Sequence, residues 1–239
     1  MTGTRVSSQR EEKYNVEVEN RVLGVLGGRD VPASMFKLWA SSAHISIAAD
    51  SGADFMLENG FRPDAIIGDM DSILPDSLLL GIDMYKLDDQ NFTDCDKLLA
   101  WAADRGETAI TLIGVEGDRV DHFLSTLSSC LKSVLTVQLA IRDGVGHIVR
   151  PGFARLKTVP GRRVSFLPLV PSTNVHVRGV RWPLTEQDLA LDGTVSISNE
   201  ASSSVVEISF DSGALLVTQE VPEVELPLWP GSDVDIIAS

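Results

Sequence analysis

A series of short apolar runs, each ending on glycine or aspartate, constrains this chain more than any other feature. Val22-Leu23-Gly24-Val25-Leu26 runs into Gly27-Gly28, and Ile45-Ser46-Ile47-Ala48-Ala49 runs into Asp50-Ser51-Gly52. Ala65-Ile66-Ile67 leads to Gly68-Asp69-Met70-Asp71-Ser72, Met84-Tyr85-Lys86-Leu87 to Asp88-Asp89-Gln90, and Thr108 to Ile113 ends at Gly114. Continuous apolar runs of this length suit strands covered on both faces. Helix-like stretches lie between them: Ala33 to about Ser41, Ala53 to Glu58 with Gly60 as its stop, and one opening at Thr93 and ending at Gly106. Thr93 is the expected N-cap of that third helix, with Asp94 and Asp96 where the helix dipole favours negative charge. Asp121 is the expected cap of a fourth, with Leu124, Leu127, Cys130 and Leu131 on its apolar face, before a last strand from Val134 to Ile141. Such alternation predicts an open, mostly parallel α/β sheet, whose ligands bind beyond the carboxyl ends of the strands. The polar clusters fall at those ends, which scattered surface acids would not do.

From about Gly144 the rhythm changes. His147–Val149, Ala154–Leu156, Val164–Leu167, Val175–Val177, Thr194–Ile197, Val205–Ser209 and Ala214–Thr218 are strand-like runs separated by Gly, Pro, Ser and Asn. They predict a C-terminal all-β sandwich or barrel. The expected organisation is a polar lead-in (1–20), an α/β domain (21–145), a β-sandwich domain (146–220) and an acidic tail (221–239) without an assigned role.

Composition narrows the partners. The 239 residues carry a formal charge of -14, which argues against nucleic acid and anionic membrane surfaces. Any phosphate-bearing substrate then has to be held by local cations or by a metal. Cys95 and Cys130 are the only cysteines and lie in helix-like segments, so no disulfide framework is expected. Residues 1–20 lack the apolar core of a signal peptide, and no run is long and apolar enough to span a bilayer. A reducing, cytoplasmic setting fits.

Two carboxylates two apart on a glycine turn, Asp69 and Asp71, suit a hard cation such as Mg²⁺, which takes oxygen ligands. Asp50, the Thr93-Asp94-Cys95-Asp96-Lys97 segment and Gly117-Asp118-Arg119-Val120-Asp121-His122 add acids for metal, cations for phosphate oxygens and glycine turns that admit a nucleotide. Together they form a phosphoryl-transfer set. No P-loop and no dinucleotide fingerprint is present.

The order and wording of these clusters resemble the thiamine pyrophosphokinase family. The matching segments are Ala49-Asp50-Ser51-Gly52-Ala53, Pro63 with Gly68-Asp69-Met70-Asp71-Ser72, Asp89-Gln90-Asn91-Phe92-Thr93-Asp94 with Lys97, and Gly117 to His122. In the β half, Gly179-Val180-Arg181-Trp182-Pro183-Leu184 and Ser196-Ile197-Ser198-Asn199-Glu200 resemble the family's thiamine-binding domain. The resemblance covers roughly residues 22–218, and several motifs in order are far more specific than one. It implies transfer of the pyrophosphoryl group of ATP to thiamine, with Mg²⁺ as cofactor. It also implies a homodimer whose active sites lie between the α/β domain of one subunit and the β domain of the other.

By resemblance, Asp69, Asp71 and Asp94 organise metal and phosphates and are the catalytic set. Asp50, Ser72, Lys97, Arg119, Asp121 and His122 serve the nucleotide, and Gln90, Trp182, Ser196, Ser198 and Asn199 serve thiamine. Structural alternatives stand beside several of these: Lys97 on a solvated face, His122 as a helix-start residue, Trp182 in the core, Ser198 and Asn199 in a turn. The chain departs from the family pattern at Asn91, where an acid is usual, and at Asp118, which replaces a glycine. Two other functions share these features: a diphosphokinase for another heterocyclic alcohol, such as a hydroxymethylpterin, and a non-catalytic thiamine or nucleotide sensor.

Overall fold

The computed structural model describes residues 21–28, 31–70, 81–87, 89, 91–117, 119–231 and, as backbone, 234–237. Strands β1 (Val22–Val25), β2 (Ile45–Ala49), β3 (Ala65–Gly68), β4 (Asp83–Lys86), β5 (Ala109–Ile113) and β6 (Thr136–Ile141) are parallel, in spatial order β6-β5-β1-β2-β3-β4. Helices α1 (Ala33–Ser42) and α2 (Gly52–Glu58) pack on one face through Phe36, Trp39 and Met56. Helices α3 (Asp94–Asp104) and α4 (Val120–Lys132) cover the other through Leu98, Leu99, Leu127 and Cys130. The strand order therefore reverses between β1 and β5. The connections leaving those two strands diverge there, opening a crevice at their carboxyl ends.

Local chemistry explains most boundaries. Thr93 and Asp96 form a reciprocal capping box that starts α3. Gly60, with φ of 84°, follows α2 as expected of a left-handed stop. Helix α4 departs from expectation. Arg119 occupies its N-cap without a side-chain cap bond, and Asp121 lies inside the first turn. Its inward stripe is Phe123, Thr126, Leu127 and Cys130, which leaves Leu124 58% exposed. That stripe follows the 3.6-residue period centred on Cys130, and Leu124 lies about a third of a turn from that centre.

Beyond β6 the sheet turns antiparallel. Strand β7 (Gly144–Val149) pairs with β6 and β13 (Ser212–Glu220), and β13 pairs with β9 (Arg163–Arg178). Strand β9 fuses two runs that read as separate strands. Its first half pairs with β11 (Ser196–Glu200) and β13, and its second with β12 (Val205–Phe210) and β10 (Leu184–Leu189). Pro168 and Pro171 fall between those halves, where the register with β13 shifts. Proline is tolerated at such irregularities, and a bent strand can serve two layers. Phe166, Val175, Val177, Ile208, Leu215 and Val217 fill the space between the layers. Strand β8 (Gly152–Lys157) completes the second layer beside β12.

The last segment is more than an acidic tail. Val221, Leu226 and Trp229 are buried in the α1 and α2 core. Trp229 meets Trp39 edge-on at 5.0 Å and donates Nε1–H to Ser42 Oγ at 3.3 Å. Residues 234–237 (β14) then pair with β8. Where the parallel and antiparallel parts join, Thr111, Gln138 and His147 lie side by side on β5, β6 and β7. Thr111 Oγ1 donates to Gln138 Oε1 at 3.0 Å, and burial pushes the His147 imidazole down to about 4. No helix among the described residues is long and apolar enough to cross a membrane.

Candidate active site

Two adjoining cavities, of about 320 and 290 Å³, lie at the carboxyl ends of β1, β2 and β5. Both are lined by Leu26, Gly27, Ser51, His122 and Thr126, so they form one cleft at the β1/β5 reversal. The first adds Asp50, Thr93, Asp94 and Cys95; the second adds Gly28, Gly114, Gly117 and Arg119. Gly114 forms the floor. With φ of 78°, a Cβ there would meet Leu26 O at 2.6 Å, so only glycine lets these loops close on each other.

The acidic end is built around Asp50. It follows β2 with φ of 42°, a conformation aspartate tolerates better than most residues and one that often marks a functional position. Its carboxylate is buried and accepts the Met70 N–H at 3.1 Å. A Cβ on Gly68 would lie 2.2 Å from Asp50 Oδ1, so glycine at the end of β3 is what allows the two strand ends to meet. Burial first, then the charge of Asp94, push the Asp50 carboxyl up to about 7; the Met70 bond opposes them, and Asp69 adds a lesser push upward. Asp50, Asp69 and Asp94 are therefore brought together.

Asp94 enters from the first turn of α3. Its Oδ1 accepts Lys97 Nζ at 3.0 Å, and the Lys97 side chain is only 5% exposed. Lys97 thus sits on no solvated face; it is held against a site acid. At the other end Arg119 makes a two-pronged pair with Asp121, at 3.2 and 2.6 Å, and both are well exposed. That pairing raises the Arg119 guanidinium and lowers the Asp121 carboxyl. His122 is exposed and lines both cavities. Ser125 and Thr126 also line the cleft and were not singled out from sequence. The signal available was a threonine on the inward stripe of α4, one turn from His122.

Asp71, Ser72, Gln90 and Asp118 lie outside the described residues. Asn91 donates both its backbone N–H and its Nδ2–H to Asp89 Oδ1, at 2.9 and 2.8 Å, so the residue standing in place of an acid closes a local turn. Trp182, Ser196, Ser198 and Asn199 are not among the residues lining the cleft. Asn199 is buried and clamps residue 182, accepting Trp182 N–H at 3.2 Å and donating to Trp182 O at 2.7 Å. The Trp182 ring is 53% exposed rather than in the core, with the Arg181 guanidinium 4.8 Å from its centre. Ser198 is exposed at φ of 53°, with its N–H bonded to Ser165 Oγ at 3.0 Å.

Among the described residues no three His, Cys, Asp or Glu side chains are placed as a finished metal cage. The donor chemistry nonetheless fits a hard divalent cation. The cluster offers carboxylate oxygens, and the charges of Asp94 and Asp69, which add to burial in raising Asp50, are ones such a cation would offset.

Comparison with known proteins adds a lineage to this geometry. Residues 36–141 match "Thiamin pyrophosphokinase, catalytic domain" and residues 154–215 match "Thiamin pyrophosphokinase, vitamin B1 binding domain". A thiamine pyrophosphokinase of Bacillus subtilis is 29% identical over 184 residues, 72% of this chain and 85% of the relative. Thiamine pyrophosphokinase 2 of Arabidopsis thaliana is 25% identical over 240 residues, 85% of this chain and 88% of the relative. Among solved structures, the Bacillus subtilis enzyme superposes with a TM-score of 0.72 at 24% identity, covering 84% of this chain and 99% of that one. The yeast enzyme gives 0.74 at 15% identity, covering 89% and 90%.

Proposed function

We infer, because this chain belongs to the thiamin pyrophosphokinase family, that it transfers the pyrophosphoryl group of ATP to the hydroxyl of thiamine, giving thiamine diphosphate and AMP. The observation that carries this reading is the in-order match of both halves to that family's two domains on one chain. The cleft supports it with acids at one end and glycine turns and Arg119 at the other.

In this reading the nucleotide lies across the β1/β5 reversal. Its phosphates are approached by the Gly27, Gly114 and Gly117 turns, and Arg119 exchanges part of its pairing with Asp121 for phosphate oxygens. Asp69, Asp71 and Asp94, with Asp50 as a further acid, would hold Mg²⁺, which would supply neutralisation of charge on the transferring group. Lys97 keeps Asp94 oriented while lending positive charge beside the phosphates. The thiamine hydroxyl attacks the β-phosphorus in line; its O–P bond forms as the bond to the α–β bridging oxygen breaks, and AMP leaves. The hydroxyl proton passes into the acid cluster. Because the attacking alcohol is neutral, alignment and charge neutralisation account for most of the acceleration.

In this reading Trp182, Ser196, Ser198 and Asn199 of the β half frame thiamine, and Gln90 of the α/β half serves the same substrate. Trp182 and Ser198 face solvent within one chain, which supports a homodimer in which each β half serves the cleft of the other subunit. A cytoplasmic setting fits this chemistry.

The test is direct. Purified protein with ATP, Mg²⁺ and thiamine is expected to release AMP and thiamine diphosphate in equal amounts. No AMP release overturns the reading, and release only with a hydroxymethylpterin moves the acceptor.

A further inference from the structure

The cleft places one site acid, Asp94, on the first turn of α3, while Arg119 and His122 stand at the start of α4. The two helices are joined by a polar network that begins at Thr93, on the cavity wall, and runs away from it to Lys132. Asp96 Oδ2 accepts the Thr93 N–H at 3.0 Å and the Thr93 hydroxyl at 2.9 Å, and Asp96 N–H returns a bond to Thr93 Oγ1 at 3.0 Å. Across the helix contact, Ser129 Oγ sits 3.1 Å from Thr93 Oγ1, and Lys132 Nζ donates to Asp96 Oδ1 at 2.9 Å. The Asp96 side chain is 10% exposed and Lys132 is 59% exposed.

This is unlike an ordinary surface ion pair, which contributes little. One partner is a nearly buried carboxylate whose other oxygen is committed to the helix cap. Loss of Lys132 leaves Asp96 Oδ1 without its charged partner in a poorly solvated place, and the cap held by Oδ2 has to adjust. The cap residue Thr93 immediately precedes Asp94, so any adjustment moves a site carboxylate. A displacement of about 1 Å at a reacting centre can cost on the order of 100-fold in rate.

We propose that Lys132 and Ser129, acting through Asp96 and Thr93, are positioning residues for Asp94. They lock the start of α3 to the last turns of α4 and so fix the spacing between the acid end of the cleft and its Arg119–His122 end. None of the four is asked to touch substrate through this network. The proposal rests on the function inferred above, and it is separable from it.

The experiment compares wild type with Lys132→Met, Lys132→Arg and Ser129→Ala, using kcat per folded molecule, the KM for thiamine and the Mg²⁺ concentration giving half-maximal rate. Lys132→Met is expected to lower kcat about 10-fold and raise the Mg²⁺ requirement several-fold, with the thiamine KM unchanged. Lys132→Arg is expected to recover most of the rate, and Ser129→Ala to lose about 3-fold. A purely structural salt bridge would instead lower Tm while the folded fraction kept wild-type kcat and Mg²⁺ dependence, and that result overturns the proposal. So does an equal kcat in the Met and Arg variants. If wild type makes no thiamine diphosphate, the function reading fails on its own. Calorimetric titration with Mg²⁺ and a non-hydrolysable ATP analogue then decides: about 10-fold weaker binding by Lys132→Met supports the network, and equal binding sinks it.

Discussion

The α/β half and the β half present their candidate residues in opposite ways. In the first, side chains from the end of β2, α3 and α4 converge on one cleft, and burial, with the neighbouring charge of Asp94, pushes Asp50 up to about 7. In the second, Trp182 and Ser198 point to solvent, while the polar contacts of Asn199 are spent holding the Trp182 backbone in place. One region gathers charged groups around a cleft. The other offers an exposed ring on a backbone held by Asn199. This contrast, a charged cleft in one half and exposed candidate side chains in the other, is what the proposed shared dimeric site rests on.

The largest expected effect tests the concave half. Asp94→Asn keeps the shape and the acceptor for Lys97 but removes a charge, and kcat is expected to fall about 10³-fold with unchanged circular dichroism. Near-wild-type turnover there would remove Asp94 from the catalytic set. Next, Trp182→Ala is expected to raise the thiamine KM by about 10- to 100-fold while leaving the ATP KM unchanged. Mixing the inactive Asp94→Asn protein with a severely impaired Trp182→Ala protein then sharpens the claim. Subunit exchange creates dimers with one intact site, so activity returning to about a quarter of wild type marks a site shared between chains. No recovery after verified exchange would assign Trp182 to the cleft of its own subunit.

The smallest effect is expected at the join between the two regions. His147 titrates at about 4 in the folded protein because it is buried, against an ordinary value of 6.5. The unfolded chain therefore binds the extra proton first. The stability contributed by neutral His147 is present above about pH 6.5 and is lost as pH falls towards 4. Between pH 7 and pH 4.5 this amounts to about 2 kcal/mol, and His147→Gln should flatten that part of the denaturant-midpoint profile. An unchanged slope in the variant would remove His147 from the acid sensitivity.

Much of this architecture was legible beforehand. Val22–Leu26, Ile45–Ala49 and Ala65–Ile67 are too continuously apolar for anything but strands covered on both sides, and Thr93 with Asp96 announced the start of α3. The convergence of Asp50, Asp69 and Asp94 followed from strand ends sharing one edge. Other features were hidden because they depend on rotation or long-range pairing. Leu124 and Phe123 are both apolar, and only the docking of α4 decides which one faces the sheet. Two proline-separated runs became the single strand β9 because β13, β11, β12 and β10 supply partners along its whole length. Trp229 sits in a stretch that reads as an acidic tail, yet Trp39 and Ser42, far away in sequence, give it a place to bury its ring.

What the sequence determined by itself was the alternation of strands and helices, the acids at the strand ends and the change to β structure near residue 144. These depend on local periodicity and turn chemistry, which neighbouring residues carry among themselves. Tertiary structure alone decided that Lys97 is held by Asp94, that Arg119 rests on Asp121, and that Trp182 stays exposed while Asn199 clamps it. Charge pairing and burial are set by which surfaces meet, and a linear order of residues leaves that open until the chain has packed.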